Sequence, residues 1–270
     1  MLSDILAQHA ISVTGLSKSL NGGKVLDDVS FSANEGEVIA VLGHNGAGKS
    51  TLVKCLTGML TMDSGYIVRQ SQTMQILSPL DARKLGIEAV HQNFGLIDEL
   101  DVVSNFFLGR ELHHDNLILK ILGWLDKRLM RFLTGRALER LGCEFRDLDR
   151  LVKHLSAGER QLIAVARAIH FGAQVVVMDE PSSALGMSQV AQLQEVIRTI
   201  SAQGVTVLLV SHDMPFVSEV CDRAIVLSKG RLVANIDIAS ISEGELYSYM
   251  MGRCHIKEPD NSLNALLQAS

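Results

Sequence analysis

The sequence predicts an α/β protein: a mostly parallel sheet with helices on both faces and a helical subdomain inserted into it. Three observations carry this. From Val175 onward, apolar runs alternate with amphipathic stretches, at Val175–Met178, Val190–Ile200, Val205–Val210 and Ala224–Leu227. That strand–helix rhythm belongs to parallel sheets. The run Val38–Leu42 is wholly apolar and enters a glycine-rich turn, after which Leu52–Gly58 opens a helix. Between Asp101 and Leu155 the strand signal gives way to leucines at helical spacing among charges, as in Leu125–Leu141.

The elements follow in order. Alternating apolar residues predict strands at Ile11–Thr14 and Val29–Ala33, linked through the turn signal Asn21-Gly22-Gly23. Glu35-Gly36-Glu37 turns the chain into the strand Val38–Leu42, and Gly65–Val68 reads as a further short strand. Ser78-Pro79 starts a helix over Leu80–Leu85, with proline at its first position, and Ile87–His91 returns to strand. Gln161–Phe171 reads as a helix. The expected organisation is one domain over 1–251, with a core of about 1–100 and 156–251, an insertion of about 101–155, and a loose tail over 252–270.

Bulk properties exclude several classes. The chain has 270 residues, 47% of them hydrophobic, enough for one large or two small domains. No apolar run approaches the roughly 20 residues that cross a bilayer. The nearest, Leu117–Leu125, is interrupted by Lys120, and Met1–Ile5 lacks a basic signal-peptide start. A cytoplasmic location is expected. A net charge of −5 with mixed signs argues against nucleic acid as a partner. Cys55, Cys143, Cys221 and Cys254 match no metal or disulfide spacing and read as reduced thiols.

The turn Gly43-His44-Asn45-Gly46-Ala47-Gly48-Lys49-Ser50-Thr51 is where chemistry is expected. A strand, a glycine-rich turn and G-K-[ST] at a helix start form a phosphate-binding loop. Glycines let successive backbone N–H groups turn inward around a polyphosphate, and the helix N-terminus adds unpaired N–H groups and partial positive charge. Lys49 supplies a cation for the β- and γ-phosphates, and the Ser50 hydroxyl can ligate Mg²⁺. The strand Val175–Met178 runs into Asp179-Glu180-Pro181. Adjacent strand-end side chains diverge, so Asp179 can face the metal and Glu180 an attacking water; strand-end acids also serve as plain helix caps. Ser156, Ala157, Gly158 and Glu159 open the helix at Gln161, either as a second anion site or as a capping box of Ser156 with Glu159.

Leu155-Ser156-Ala157-Gly158-Glu159 resembles the L-S-G-G-Q signature of ATP-binding cassette (ABC) ATPases. The order of phosphate loop, single glutamine, signature, D-E-P and histidine is that family's order, over roughly residues 10–250. The resemblance implies a P-loop NTPase core with an antiparallel β subdomain and an inserted α-helical subdomain. It implies ATP and Mg²⁺ as ligands, Gln92 reaching the metal or the water, His212 at the γ-phosphate, and an adenine-stacking position near Leu20. Two positions depart from the pattern. Leu20 lacks an aromatic ring, and Gly186 in Ala184-Leu185-Gly186-Met187 lacks the usual carboxylate.

Ser78–Ile87, Asn105–Glu111 and Ala184–Met187 resemble simple-sugar importers of the ribose and fructose type, in the single-cassette form. That likeness implies a homodimer of cassettes, a membrane permease, a periplasmic sugar-binding protein and a place at the cytoplasmic face of the inner membrane. An exporter subunit, a soluble non-transport cassette, or a cassette that binds ATP without turnover are the competing readings. Leu117–Leu133 carries more apolar residues than one helix face buries, interrupted by Lys120, Lys127, Arg128 and Arg131. It reads as a core helix of the insertion or as a surface that docks, with the loop after Gln92, on the permease.

Overall fold

A computed structural model describes residues 9–69, 72–90, 95–114, 123–143, 145 and 147–252. Strands β1 (His9–Leu20) and β2 (Gly23–Asn34) form an antiparallel hairpin that closes at the pair Leu20 and Gly23. Asn21 and Gly22 between them have φ of 51° and 80°, both left-handed, as the tight turns that match strand twist require. Each strand outruns its sequence prediction, because partly exposed positions continue the pairing. Strand β3 is Val38–Leu42; β4 (Ser64–Arg69) pairs with β1, and β5 (Gln72–Met74) with β4, giving a four-stranded antiparallel sheet.

The second sheet has the order β10-β9-β3-β8-β7-β6. Its members are β3, β6 (Ile87–Val90), β7 (Val175–Asp179), β8 (Thr206–Val210), β9 (Arg223–Ser228) and β10 (Arg231–Asp237). All pairings are parallel except that of β10, the antiparallel edge. Eight α-helices are described: α1 (Lys49–Leu56), α2 (Pro79–Lys84), α3 (Val102–Phe106), α4 (Lys127–Glu139), α5 (Ala157–His170), α6 (Met187–Ala202), α7 (Met214–Val220) and α8 (Glu243–Met250).

The alternation of strand side chains divides the core in two. Val38, Ala40 and Leu42 of β3 face a cluster with Val176, Met178, Val207 and Leu209, covered by α3–α8. Ile39 and Val41 face the other way, with Val175, Val177, Leu208 and Val210, against α1, α2 and the antiparallel sheet. Helices therefore lie on both faces as expected, and a second sheet shares one face with them.

The insertion is less helical than its leucine spacing predicts. Among the described residues it contains α3, α4 and a 3₁₀ turn at Val152–His154. Chain turns at Gly109 and Gly123, both at φ 72°, interrupt the pattern. The predicted helix over Leu125–Leu141 spans only Lys127–Glu139, started by the Asp126 carboxylate accepting from the Leu129 N–H at 2.9 Å. Helix α4 buries Met130, Thr134, Ala137 and Leu138. Those apolar groups join the cluster that α5 and α6 cover, so the insertion has no core of its own. Within Leu117–Leu133, Met130 is core, whereas Trp124, Leu129 and Phe132 are exposed. Residues 117–122 of that segment, His91 at the end of the predicted strand, Gln92, and the tail beyond Gly252 lie outside the described residues.

Insertion and core meet at an aromatic cluster. Phe106 and Phe107 are fully buried, with ring centroids 5.2 Å and 5.7 Å from His170, and each packs against Phe171. Phe106→Ala would remove the largest of these contacts, and we expect a loss of about 3–5 kcal/mol of stability, checked by urea unfolding. A loss under about 1 kcal/mol would mean that the cluster does not hold the insertion in place.

Candidate nucleotide site

A cleft opens at the carboxyl ends of β3, β7 and β8, where parallel sheets leave room for ligands. Asn45–Thr51 form one wall, and Asp179, Glu180, Val210 and His212 face them. Two glycines make the loop possible. Gly43 has φ 146°, and a Cβ there would stand 2.3 Å from the Leu227 carbonyl oxygen and 3.0 Å from Ala47 Cβ. Gly48 has φ 108°, and its Cβ would fall 2.8 Å from Leu26 Cδ2 and 3.0 Å from the Val25 carbonyl oxygen. Any side chain at either position would push the loop off the strands beneath it. Gly48 also starts α1 without a side-chain cap, which leaves the first N–H groups of the helix available to an anion.

Lys49 is 7% exposed, and its Nζ donates to the carbonyls of Gly43 at 2.6 Å and His44 at 3.2 Å. Burial pushes its pKa down, while the negative charges of Glu180 and Asp179 oppose that shift. Ser50 is the second residue of α1 and Asp179 the last of β7; both line the cleft. A hydroxyl and a carboxylate are hard oxygen donors suited to Mg²⁺, which binds few protein groups and completes its shell with phosphate and water.

Glu180 has φ 50°, the left-handed region, at a cost of roughly 1–2 kcal/mol for a residue with a Cβ. The surroundings hold it there. Its N–H donates to the Val210 carbonyl at 2.8 Å, and its own carbonyl accepts from Ser183 Oγ at 2.9 Å. Its Oε1 lies 3.2 Å from His212 Nε2. Burial raises the Glu180 carboxyl above the usual range, against an opposing pull from His212. His212 stands just past β8, and the next residue, Asp213, caps α7 by accepting from the Phe216 N–H at 3.2 Å.

The phosphate loop, Asp179, Glu180 and His212 therefore meet in one place. The Ser156–Glu159 group does not line this cleft. Ser156 is exposed at the start of α5, where the capping box forms: Ser156 Oγ accepts from the Glu159 N–H at 3.2 Å, and Glu159 Oε2 from the Ser156 N–H at 2.7 Å. A Cβ on Gly158 would come within 3.0 Å of Gln189 Cγ. The Gln189 Oε1 also accepts from the Gly186 N–H at 3.1 Å. Gly186 itself has φ −76° and open space around it, so the backbone does not demand a glycine there. Leu20 ends β1 at the hairpin turn and is not part of the cleft wall, whereas Val25 of β2 is. Nothing local in the sequence marks Val25; it arrives through pairing within the other sheet. Gln92 lies outside the described residues.

A glycine loop around a buried lysine, facing two strand-end acids across a parallel sheet, defines a P-loop nucleotide-binding protein. The chain belongs to the ABC transporter family, whose profile matches residues 26–183. It is 37% identical over 243 residues to the ribose import ATP-binding protein RbsA of Caldanaerobacter subterraneus, covering 90% of this chain and 48% of that protein. It is also 37% identical to the fructose import ATP-binding protein FrcA of Rhizobium meliloti, covering 94% of this chain and 97% of that one. The chain thus spans about half the length of the ribose-type relative and nearly all of the fructose-type one. Its fold matches an ATP-binding cassette of an ABC transporter in its ADP conformation, with TM-score 0.73, 24% identity, and 90% and 94% of the two chains covered. A dimeric cassette in a post-hydrolysis state bound to ADP and Pi matches with TM-score 0.69, 23% identity, and 84% and 98% covered.

Lys49→Ala removes the only described lysine in the cleft wall. We expect ATP–Mg²⁺ binding at least about tenfold weaker by isothermal titration. Unchanged affinity would move the phosphate site elsewhere.

Proposed function

We propose that the chain binds and hydrolyses ATP to energise a membrane transporter that takes up a simple sugar. The observation that carries the catalytic part is Glu180, held in a left-handed turn with its carboxylate against His212, in the same cleft as the phosphate loop and Lys49. The names of the ribose and fructose import relatives support the sugar class and the direction of transport. No described helix is long and apolar enough to cross a membrane. A separate permease would supply the path, with a periplasmic binding protein delivering the sugar, and this chain would sit at the cytoplasmic face of the inner membrane.

The phosphates of ATP lie in the loop, met by the N–H groups that open α1 and by Lys49, which exchanges the Gly43 and His44 carbonyls for phosphate oxygens. Ser50 and Asp179 would hold Mg²⁺, which would offset charge on the phosphate oxygens; Gln92, to which the family likeness gives a role at the metal or the water, lies outside the described residues. Glu180 orients the attacking water and takes its proton as the water oxygen bonds to the γ-phosphorus and the bond to the ADP oxygen breaks. The raised pKa of Glu180 suits that role, since a more basic carboxylate is a better proton acceptor. His212 holds the Glu180 carboxylate and reaches toward the γ-phosphate.

One chain supplies only part of this site. Ser156, Ala157, Gly158 and Glu159 lie away from the cleft, so their contact with a γ-phosphate requires a second copy. Two copies arranged head to tail, with closed two-fold symmetry, give two equivalent shared sites.

Glu180→Gln keeps the side-chain shape and removes the proton acceptor. We expect steady-state ATP hydrolysis to fall at least about a hundredfold while ATP binding persists and dimers accumulate with ATP. Near-normal turnover would sink the assignment. Ser156→Arg should also abolish hydrolysis while leaving nucleotide binding to the monomer nearly intact. Mixing it with Lys49→Ala creates heterodimers with one site free of both substitutions, so activity should return on mixing. If activity fails to return, or if an isolated monomer hydrolyses ATP at the wild-type rate, the shared site is wrong.

A further inference from the structure

Helix α4 shows an unusual outer face. At about 100° per residue, Arg128, Leu129, Phe132 and Arg136 lie opposite the stripe of Met130, Thr134, Ala137 and Leu138 that enters the core. Phe132 is 63% exposed and Leu129 44%, and Trp124, just ahead of the helix, is 60% exposed. Large apolar groups are thus interleaved with basic ones on a surface that packs against nothing described.

The basic residues are not explained by the helix itself. Lys127 and Arg128 occupy the first turn, which contains no acid, and positive charge there opposes the helix dipole. Arg131 pairs with Asp149, and Arg136 with Glu139 at 4.0 Å; Lys127 and Arg128 have no ion pair among the described residues. The chain as a whole carries −5, so this local excess of positive charge runs against the global sign. Exposed aromatic and aliphatic groups set among lysine and arginine match a bilayer interface: rings and methyls enter the acyl boundary while the cationic heads stay among anionic headgroups.

We propose that the outer face of α4, with Trp124, is a docking surface for anionic phospholipid headgroups. It holds the subunit against the bilayer independently of any contact with a permease. The charge complementarity selects the partner, because a neutral lipid surface would attract the apolar groups but leave Arg128, which has no ion pair among the described residues, without a counter-charge.

Trp124 is the sole tryptophan of the chain, so its fluorescence reports this surface directly. The full chain is mixed with vesicles of phosphatidylcholine, with and without phosphatidylglycerol, at low and high salt. The expected result is a blue-shifted Trp124 emission and co-sedimentation with the anionic vesicles only, both weakened by salt. The double variant Arg128→Glu, Arg136→Glu should lower the partition at least about tenfold, and Phe132→Ser several-fold, with thermal midpoint and ATP hydrolysis unchanged. Hydrolysis measured on the same samples separates failure of this proposal from failure of the ATPase reading. Absence of a shift with anionic vesicles, or equal binding by the charge-reversed variant, would overturn it. So would a shift that needs the permease in a neutral bilayer, since the face would then be a protein contact.

Discussion

The burial of β3 on both faces is the constraint on which the rest of the molecule depends. All five of its residues are buried, and alternate side chains enter different cores. Each large apolar side chain so placed contributes on the order of 1.5–3 kcal/mol. The strand cannot slip by one residue without exchanging the two sets. Its flanking strands are fixed in parallel register at Val41 with Val210 and Leu42 with Val226. The loop that leaves its end is therefore aimed by a strand that is buried on both faces and paired on both sides. Glycines at positions 43 and 48 let that loop lie flat on β9 and β2.

Electrostatics at the cleft follow from the same placement. Lys49 loses solvent and would lose basicity, and the acids at the end of β7 restore part of it. Glu180 is raised by burial, and the left-handed turn aims its carboxylate at His212 rather than along the strand. The neighbouring Asp179 stays in strand geometry beside Val210. Two adjacent acids thus acquire different surroundings because one belongs to a strand and the other to a turn.

The make-up of the candidate cleft was legible in the sequence where it is local. A phosphate loop is a strand, a turn and a helix in succession, and Asp179-Glu180 ends an apolar run, so neither needs distant information. What depends on packing was not legible. Strand β10 mixes buried and exposed positions in Arg231–Asp237 and lacks clean alternation. The insertion's leucine spacing extends past the turns at Gly109 and Gly123. Val25 reaches the cleft by sheet pairing, while Leu20, singled out by a family pattern, ends at a hairpin tip. The left-handed backbone of Glu180 has no signal, because glutamate gives no hint of positive φ.

Gln189 is wedged between two elements. Its side chain packs on Gly158 at the start of α5 and accepts a hydrogen bond from Gly186, at the end of the turn that begins with Glu180. Mechanically it is a linkage bar. Its side chain fills the space between the beginnings of α5 and α6, so the Glu180 turn and the Ser156 helix start bear on one another through it. In the proposed pair of copies, Ser156 would serve the neighbouring copy's cleft while Glu180 would serve its own. The length of a single glutamine side chain would then separate the parts that one chain lends to the two clefts.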